Sequence, residues 1–294
     1  MPVLQCKFGR RMEIHGVHMI SLAAELDRRQ LATELLASLP WHTTLHDAQD
    51  ARTHVGLEAT TAQFKMGDGT DEDVPAGYRP KWRGPLAPGE IGCLASHISV
   101  WKVIAESGAD EMHVVLEDDV TVPDVPGLVG FFSDLGSDWS PLPELIYLGY
   151  ERFEPESKPW YWPAVGAAGH VAMRLAGQIK PSLRSDIRNH LLARRYPRTA
   201  TQAVVEPNRT IARQHALQEA GLHDGTWAYA ISTRGAHKLA QLAEPMCLRS
   251  DELINVAVAM GVITAFTPAR KYAIPRSDLA STLFSERDFR SYTP

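Results

Sequence analysis

The chain has 294 residues, 44% of them apolar, which is enough for one large or two small globular domains. Thirty lysines and arginines against thirty-five acidic residues give a net charge of -5, which argues against a chain-wide basic surface for nucleic acid. We find neither a secretory signal pattern nor an apolar stretch of about 18 residues, the length of a membrane-spanning helix. The three widely spaced cysteines argue against a disulfide framework, so we predict a cytoplasmic protein with reduced thiols.

The hydrophobic pattern predicts strands that alternate with helices. Residues 17–22 are predicted to form a strand, and leucines at helical spacing predict a helix from Asp27, its expected N-cap, to Leu39. Glycine, proline and acidic residues predict a long loop over residues 47–88. The later predictions, in chain order, are a helix over 90–107, strands at 112–116, 145–148 and 226–231, helices over 233–243 and 251–260, and a strand at 262–266. This alternation indicates the α/β class, with a mostly parallel sheet covered by helices.

Charge is segregated in the middle of the chain. Residues 174–213 contain nine lysines and arginines but only two acidic residues, Asp186 and Glu206. Two interpretations are open. The segment is either a solvated helical insertion or a basic surface for an anionic acceptor or an anionic membrane face.

Three consecutive carboxylates, Glu117, Asp118 and Asp119, directly follow the predicted strand 112–116. In open α/β sheets, ligands bind at the carboxyl ends of the strands. Clustered carboxylates repel one another unless a cation lies among them, and Mg²⁺ or Mn²⁺ prefers oxygen ligands. We therefore predict a divalent cation that links this cluster to a diphosphate, with a solvated acidic turn as the alternative.

The sequence around these carboxylates resembles glycosyltransferase family 25, which includes bacterial lipooligosaccharide glycosyltransferases and the collagen galactosyltransferases. The resemblance is most specific over residues 89–101 (GEIGCLASHISVW) and 115–120 (VLEDDV). Weaker blocks stand at 20–22, 27–29, 47–50, 225–232 and 250–253. The resemblance implies a GT-A type, Rossmann-like fold and inverting transfer of a sugar, commonly galactose from UDP-galactose, to a hydroxyl group.

The resemblance also assigns residue roles. Asp119, with Glu117 or Asp118, is expected to bind Mn²⁺ or Mg²⁺. Asp251 is the expected catalytic base and Glu252 a weaker substitute, although acidic residues in a first helical turn also complement the helix dipole. The residues expected to bind the nucleotide-sugar are Ser21, Leu22, Arg28, Arg29, Asp47, Asp50, Glu90, Ser96 and His97, together with Glu117 and Asp118.

Several of these side chains have a structural interpretation as well. His97 is either a satisfied structural group on its helix or a hydrogen-bonding group near the nucleotide-sugar, and Cys93 is predicted to be a core residue. The aromatic residues Trp82, Trp160, Tyr161 and Trp162 are candidates for stacking on a sugar or for covering the core.

The predicted organisation has three parts. Residues 1–150 form the nucleotide-sugar-binding half, 151–222 the basic insertion and acceptor region, and 223–294 the closing half of the same domain. The predicted partners are a UDP-sugar and a glycan, lipid-linked or small-molecule acceptor, with peripheral contact at the inner face of a membrane and no nucleic acid. The donor hexose, the acceptor and the oligomeric state stay open. Two rival classes remain: a metal-dependent hydrolase of nucleotide-sugars or phosphoesters, and a non-catalytic binding subunit.

Overall fold

The computed structural model describes residues 13–67, 86–108, 111–135, 143–152, 210–212, 217–220 and 223–276. The four aromatic candidates lie outside the described residues, and of the predicted basic insertion, residues 151–222, only 151–152, 210–212 and 217–220 are described. None of the helices within the described ranges is both long enough and apolar enough to span a bilayer.

The described chain forms ten strands and six helices. In chain order they are β1 (Ile14–Ser21), α1 (Leu26–Ser38), β2 (Thr43–Asp47), α2 (His54–Gln63), α3 (Pro88–Ala105), β3 (Met112–Glu117), β4 (Val120–Thr121), α4 (Val125–Asp134), β5 (Leu145–Arg152), β6 (Thr210–Ala212), β7 (Leu217–Glu219), β8 (His223–Ser232), α5 (Thr233–Leu242), α6 (Ser250–Ala259), β9 (Ala265–Pro268) and β10 (Ile274–Pro275).

Eight strands form one mixed sheet in the order β2-β1-β3-β8-β5-β9-β7-β6. β1 pairs in parallel with β2 and β3, and β5 pairs in parallel with β9. β8 lies antiparallel between β3 and β5, and β7 is antiparallel to β6 and β9. The α/β class is confirmed, but the expectation of a mostly parallel sheet is wrong, because hydrophobic pattern locates a strand without giving its direction.

The two faces of the sheet carry two apolar clusters. Val17, Met19, Val114 and Leu116 pack on one face with residues of α1 and α4. Val115 packs on the opposite face with residues of α3, α5 and α6. This division follows from the alternation of side chains along a strand, so the buried strands β1 and β3 are apolar on both sides.

Helix α3 is the longest helix in the described part of the chain and forms one wall of the site. It begins at Pro88, whose fixed backbone suits a first helical position. The Glu90 side chain accepts a hydrogen bond from the backbone N–H of Ala87 at 2.9 Å, which satisfies a donor at the helix start. The following turns place Gly92, Cys93, Ser96 and His97 against the carboxyl ends of β1 and β3.

Helix α2 corrects the prediction of an uninterrupted loop over residues 47–88. Thr53 caps this helix by accepting a hydrogen bond from the backbone N–H of Gly56 at 3.0 Å. Its sequence, HVGLEATTAQ, has a weak apolar pattern and a glycine near its start, so periodicity did not reveal it. The expected cap of α1 also differs, since Asp27 lies inside the first turn of this helix.

Candidate functional site

An open cleft lies at the carboxyl ends of β1 and β3. One wall is α3, and the opposite wall is the segment that follows β2. In the direction of the chain, the lining includes Ile20, Ser21, Leu22, Arg28, residues 48–52, Gly89, Gly92, Cys93, Ser96, His97 and residues 117–119. Ligands of open α/β sheets bind at this edge.

The predicted acidic cluster lies on the floor of this cleft. β3 ends at Glu117, and Asp118 and Asp119 form the turn that follows. Asp118 is buried and pairs with Nη2 of Arg28, and the same nitrogen lies 3.1 Å from Oδ2 of Asp119. A guanidinium group therefore already offsets part of the negative charge of the cluster.

Burial and mutual repulsion perturb these carboxyl groups unequally. Burial raises the pKa of Asp119 to about 6, and the Glu117 charge adds to the increase while Arg28 opposes it. Burial also raises the pKa of Asp118, against the opposing effect of Arg28. For Glu117, burial acts to raise the pKa, but hydrogen bonds from His97 and Thr226 outweigh it and lower the pKa overall. Additional positive charge near Asp119 would favour its ionised form.

The segment after β2 forms the opposite wall and carries a second ion pair. Arg52 donates from Nε and Nη2 to the two carboxylate oxygens of Asp50, at 2.7 and 2.9 Å. The backbone N–H of Gln49 donates to Ser96 Oγ at 2.8 Å, which ties this wall to α3. Both Asp50 and Ser96 line the cleft and each has a protein partner, and their binding of a nucleotide-sugar stays a prediction.

Other predicted binding residues lie away from the lining. Arg29 donates to Asp47 Oδ1 at 2.7 Å, and the Asp47 side chain is 70% exposed. Glu90 is buried, caps α3 and pairs with Nη2 of Arg249 at 2.7 Å. Arg29, Asp47 and Glu90 therefore each have a partner within the protein. That they bind a ligand stays a prediction.

The expected catalytic base, Asp251, lies beside the cleft in the first turn of α6. Its carboxylate accepts hydrogen bonds from the backbone N–H groups of Glu252 at 2.8 Å and Gly225 at 3.4 Å. Glu252 is buried, and neither acidic residue belongs to the lining. The neighbouring Ser250 nevertheless reaches the cleft floor through Thr226, with 3.0 Å between the two hydroxyl oxygens.

Sequence analysis missed part of the site. Cys93, expected in the core, lines the cleft, with its Sγ 3.5 Å from Ser250 Oγ. Burial raises the pKa of its thiol well above the ordinary value, so the thiol is protonated at neutral pH. Thr226 donates to Glu117 Oε1 at 3.0 Å. Both residues stood inside the blocks that carry the family resemblance, and that position was the available signal.

Two sets of side chains in the described ranges have the chemistry to hold a metal ion. Ligand atoms of Cys93, His97 and Glu117 lie within 4.8 Å of one another. A mixed sulfur, nitrogen and oxygen set suits Zn²⁺, whereas the oxygen-only set of Glu117, Asp118 and Asp119 suits Mg²⁺ or Mn²⁺. The two sets share Glu117.

A cleft floored by carboxylates at the carboxyl ends of parallel strands defines a ligand-binding α/β protein. The sequence profile described as glycosyltransferase family 25 (LPS biosynthesis protein) matches residues 14–132, which include both walls and the floor of the cleft. Residues 14–132 of this chain are therefore similar to glycosyltransferase family 25.

The relatives differ in their described activity. Procollagen galactosyltransferase 2 of Mus musculus is 31% identical over 159 residues, which cover 51% of this chain and 23% of that protein. Procollagen galactosyltransferase 1 of Danio rerio is 25% identical over 254 residues, 84% of this chain and 32% of the relative. A probable inactive glycosyltransferase 25 family member 3 of Bos taurus is 30% identical over 171 residues, 56% and 27% of the two chains. The chain thus matches less than a third of the length of each of these relatives.

Proposed function

We propose that the chain is a metal-dependent, inverting glycosyltransferase. It transfers a hexose, with galactose as our first choice, from a UDP-sugar to a hydroxyl group of a glycan such as a lipooligosaccharide. The observation that carries this proposal is the convergence of Glu117, Asp118 and Asp119 in one cleft at the carboxyl ends of β1 and β3. The galactosyltransferase names of relatives support the choice of donor.

Carboxylate oxygens are the ligands that a hard divalent cation prefers, although among the described residues only Cys93, His97 and Glu117 already place three ligand atoms within 4.8 Å of one another. Three carboxyl groups lie within one turn of chain, and burial, followed by the Glu117 charge, raises the pKa of Asp119 although Arg28 opposes the increase. We assign the cation to Asp119, with Glu117 or Asp118. When bound, Mn²⁺ or Mg²⁺ supplies positive charge against the negative charge that develops on the departing diphosphate.

The chain's own residues then have distinct roles in the proposed reaction. Arg28 holds Asp118 and Asp119 in place and adds positive charge beside the diphosphate. Asp251 is the proposed base that accepts the proton of the acceptor hydroxyl, and Glu252 is its substitute. The side chain of Asp251 must exchange its contact with Gly225 for the acceptor, and this 3.4 Å contact is the longer of its two hydrogen bonds.

Acceptor binding is assigned to the basic segment 174–213. Its charge suits an anionic glycan or a lipid-linked acceptor at the inner face of a membrane. This assignment rests on the sequence of the segment.

A second candidate, a binding subunit without transferase activity, is favoured by the relatives that are named inactive. Calorimetric titration of UDP into the protein, with and without Mn²⁺, distinguishes it from an enzyme. The proposal requires tight UDP binding that depends on Mn²⁺, followed by Mn²⁺-dependent transfer from UDP-galactose to a hydroxyl acceptor. The absence of Mn²⁺-dependent binding would refute the metal assignment, and rapid release of UDP or phosphate without any acceptor would favour a hydrolase.

A further inference from the structure

A continuous row of hydrogen bonds runs from the core to the floor of the cleft. Trp101 Nε1 lies 2.8 Å from the hydroxyl oxygen of Tyr229, and that oxygen lies 2.9 Å from His97 Nδ1. The other ring nitrogen of His97, Nε2, lies 3.2 Å from Glu117 Oε1. Trp101, Tyr229 and His97 are at most 1% exposed, so water does not compete for these contacts.

The donors and acceptors in this row allow one consistent placement of protons. The indole N–H of Trp101 is a donor only, so it occupies a lone pair of the Tyr229 hydroxyl. Among the described residues, His97 Nδ1 is the only acceptor within reach of the remaining Tyr229 O–H. If His97 carried its proton on Nδ1 instead, the buried O–H of Tyr229 would lose its acceptor, which costs about 1–3 kcal/mol.

The same conclusion follows from the other end of the row. A carboxylate group has only acceptors, so Oε1 of Glu117 needs a hydrogen-bond donor, which Nε2 of His97 is only when it carries a proton. With its proton on Nε2, His97 donates to Oε1, and Thr226 donates to the same oxygen at 3.0 Å. No described residue donates to Oε2 of Glu117. The two donors therefore fix Glu117 through one oxygen and leave the other for a ligand.

We infer that Tyr229 is a positioning residue, which locks His97 in the Nε2–H form so that Glu117 is held ready for the cation. This inference rests on the proposed function for its cation, but the state of the histidine is independent of it. The tautomer of His97 also decides between the two candidate sets of metal ligands. A nitrogen that carries a proton is not a metal ligand, so the locked His97 excludes Nε2 from the Cys93, His97 and Glu117 set.

The first test measures the histidine directly. Long-range proton–nitrogen correlation spectra of protein labelled with ¹⁵N-histidine distinguish the Nε2–H and Nδ1–H forms. In the wild-type chain without metal we expect the Nε2–H form for His97, and in Tyr229→Phe a mixture of forms. Tyr150→Phe is the matched control, because it also removes one buried hydroxyl, bonded to Pro268 O at 3.1 Å, outside the row. It should leave the His97 signals unchanged.

The second test measures binding of Mn²⁺ itself by calorimetry. Loss of a group that orients a metal ligand typically costs 10- to 100-fold in metal affinity, so we expect Tyr229→Phe to lose about that much and Tyr150→Phe to lose little. If Tyr229→Phe does not fold, His97→Gln and His97→Leu replace it. The glutamine amide can still donate to Glu117 and should retain Mn²⁺ binding within a few fold, whereas leucine cannot donate and should not.

The outcomes are distinct. An Nδ1–H form in the wild-type chain overturns the inference, as does unchanged His97 tautomer and Mn²⁺ affinity in Tyr229→Phe. Equal losses in His97→Gln and His97→Leu would also overturn it and would favour His97 as a direct ligand. If the wild-type chain binds no Mn²⁺ while His97 is in the Nε2–H form, the proposed function fails and the tautomer assignment stands.

Discussion

Arg28 and Asp118 form a buried ion pair that joins the first helix to the turn after β3. Both side chains are at most 10% exposed, and Arg28 also contacts Asp119 from the same nitrogen. The pair fixes the acidic floor of the cleft against α1. It also means that a cation entering the cleft meets carboxylates that already have one positive partner.

Replacement of Arg28 by methionine should destabilise the fold strongly. Asp118 would be left buried without its counter-charge, and loss of one partner of a buried pair costs about 3–5 kcal/mol. Urea unfolding at neutral pH measures the change. In the double variant Arg28→Met with Asp118→Asn most of the loss should be recovered, since the orphaned charge is gone. Additive losses in the double variant would show that the two side chains are not coupled.

Asp119→Ala should abolish Mn²⁺-dependent binding of UDP without unfolding the chain. Asp119 is proposed to bind the cation, and its removal relieves repulsion with Glu117, so the free energy of unfolding should not fall. UDP titration with Mn²⁺ and thermal unfolding are the measurements. Asp134→Asn, an exposed change in the last turn of α4, is the control. Wild-type UDP affinity in Asp119→Ala, at equal stability, would remove Asp119 from the metal site.

The local sequence was sufficient to predict where the acidic residues of the cleft floor lie, but not which residues pair with them. Glu117, Asp118 and Asp119 follow an apolar run, so their place at a strand end could be predicted. The pairing of Arg28 with Asp118 could not, because it depends on how α1 packs against β1 and β3. Tyr229 is 132 residues from His97, and their contact arises because β8 inserts beside β3.

The same limit applies to secondary structure. Strands β1 and β3 are buried on both faces, so their continuous apolar runs are visible in sequence. Helix α2 is held by the Thr53 cap and by contact with α3, and it has little apolar pattern of its own. The antiparallel direction of β8 follows from chain connections and not from the residues within the strand.

Gly92 is a point of close contact between the two walls of the cleft. A Cβ at this position would overlap the backbone carbonyl oxygen of Gln49 and lie 3.2 Å from the backbone nitrogen of Ala51. Gly92→Ala should therefore push the segment after β2 away from α3, at a cost of about 1–3 kcal/mol, and weaken UDP binding. Gly130→Ala is the matched control, because no atom lies within 4 Å of its added Cβ.

That control should stabilise the chain by about 0.5–1 kcal/mol, since alanine is favoured over glycine inside a helix. Chemical denaturation measures the change in the free energy of unfolding for both glycine variants. If Gly92→Ala raised the free energy of unfolding as much as Gly130→Ala, the two walls of the cleft would move apart without loss of stability.

A row of histidines across β2, β1 and β3 should make stability depend on pH. His18 Nδ1 lies 2.8 Å from His46 Nε2, and His18 Nε2 lies 3.1 Å from His113 Nδ1. Burial, followed by His46 and His113, lowers the pKa of His18 from 6.5 to about 3, and burial lowers that of His113 to about 4. The other charged or titratable groups that act on this row include His15, His42, Glu111 and Asp47.

Between pH 6.5 and about 4, the unfolded chain binds protons at His18 and His113 that the folded chain excludes. The free energy of unfolding should therefore be highest above pH 6.5 and fall on acidification, by up to about 1.4 kcal/mol per pH unit for each histidine. His18→Gln should remove one such contribution, and His54→Gln, whose ring is 84% exposed, should not. Urea unfolding across this pH range measures how the free energy of unfolding depends on pH. If His18→Gln showed the same dependence as the wild-type chain, the prediction would be contradicted.

Asp251→Asn tests the proposed base separately from donor binding. Asparagine keeps one side-chain oxygen, which can accept the N–H of Glu252, and gives up only the longer contact with Gly225, so the start of α6 should persist. It lacks the carboxylate, so sugar transfer should fall by about 10²- to 10⁴-fold while Mn²⁺-dependent binding of UDP is retained. UDP titration and transfer rates from UDP-galactose are compared with those of Glu252→Gln. Near-normal transfer in Asp251→Asn would clear this residue of the base role, and a loss confined to Glu252→Gln would move the role to Glu252.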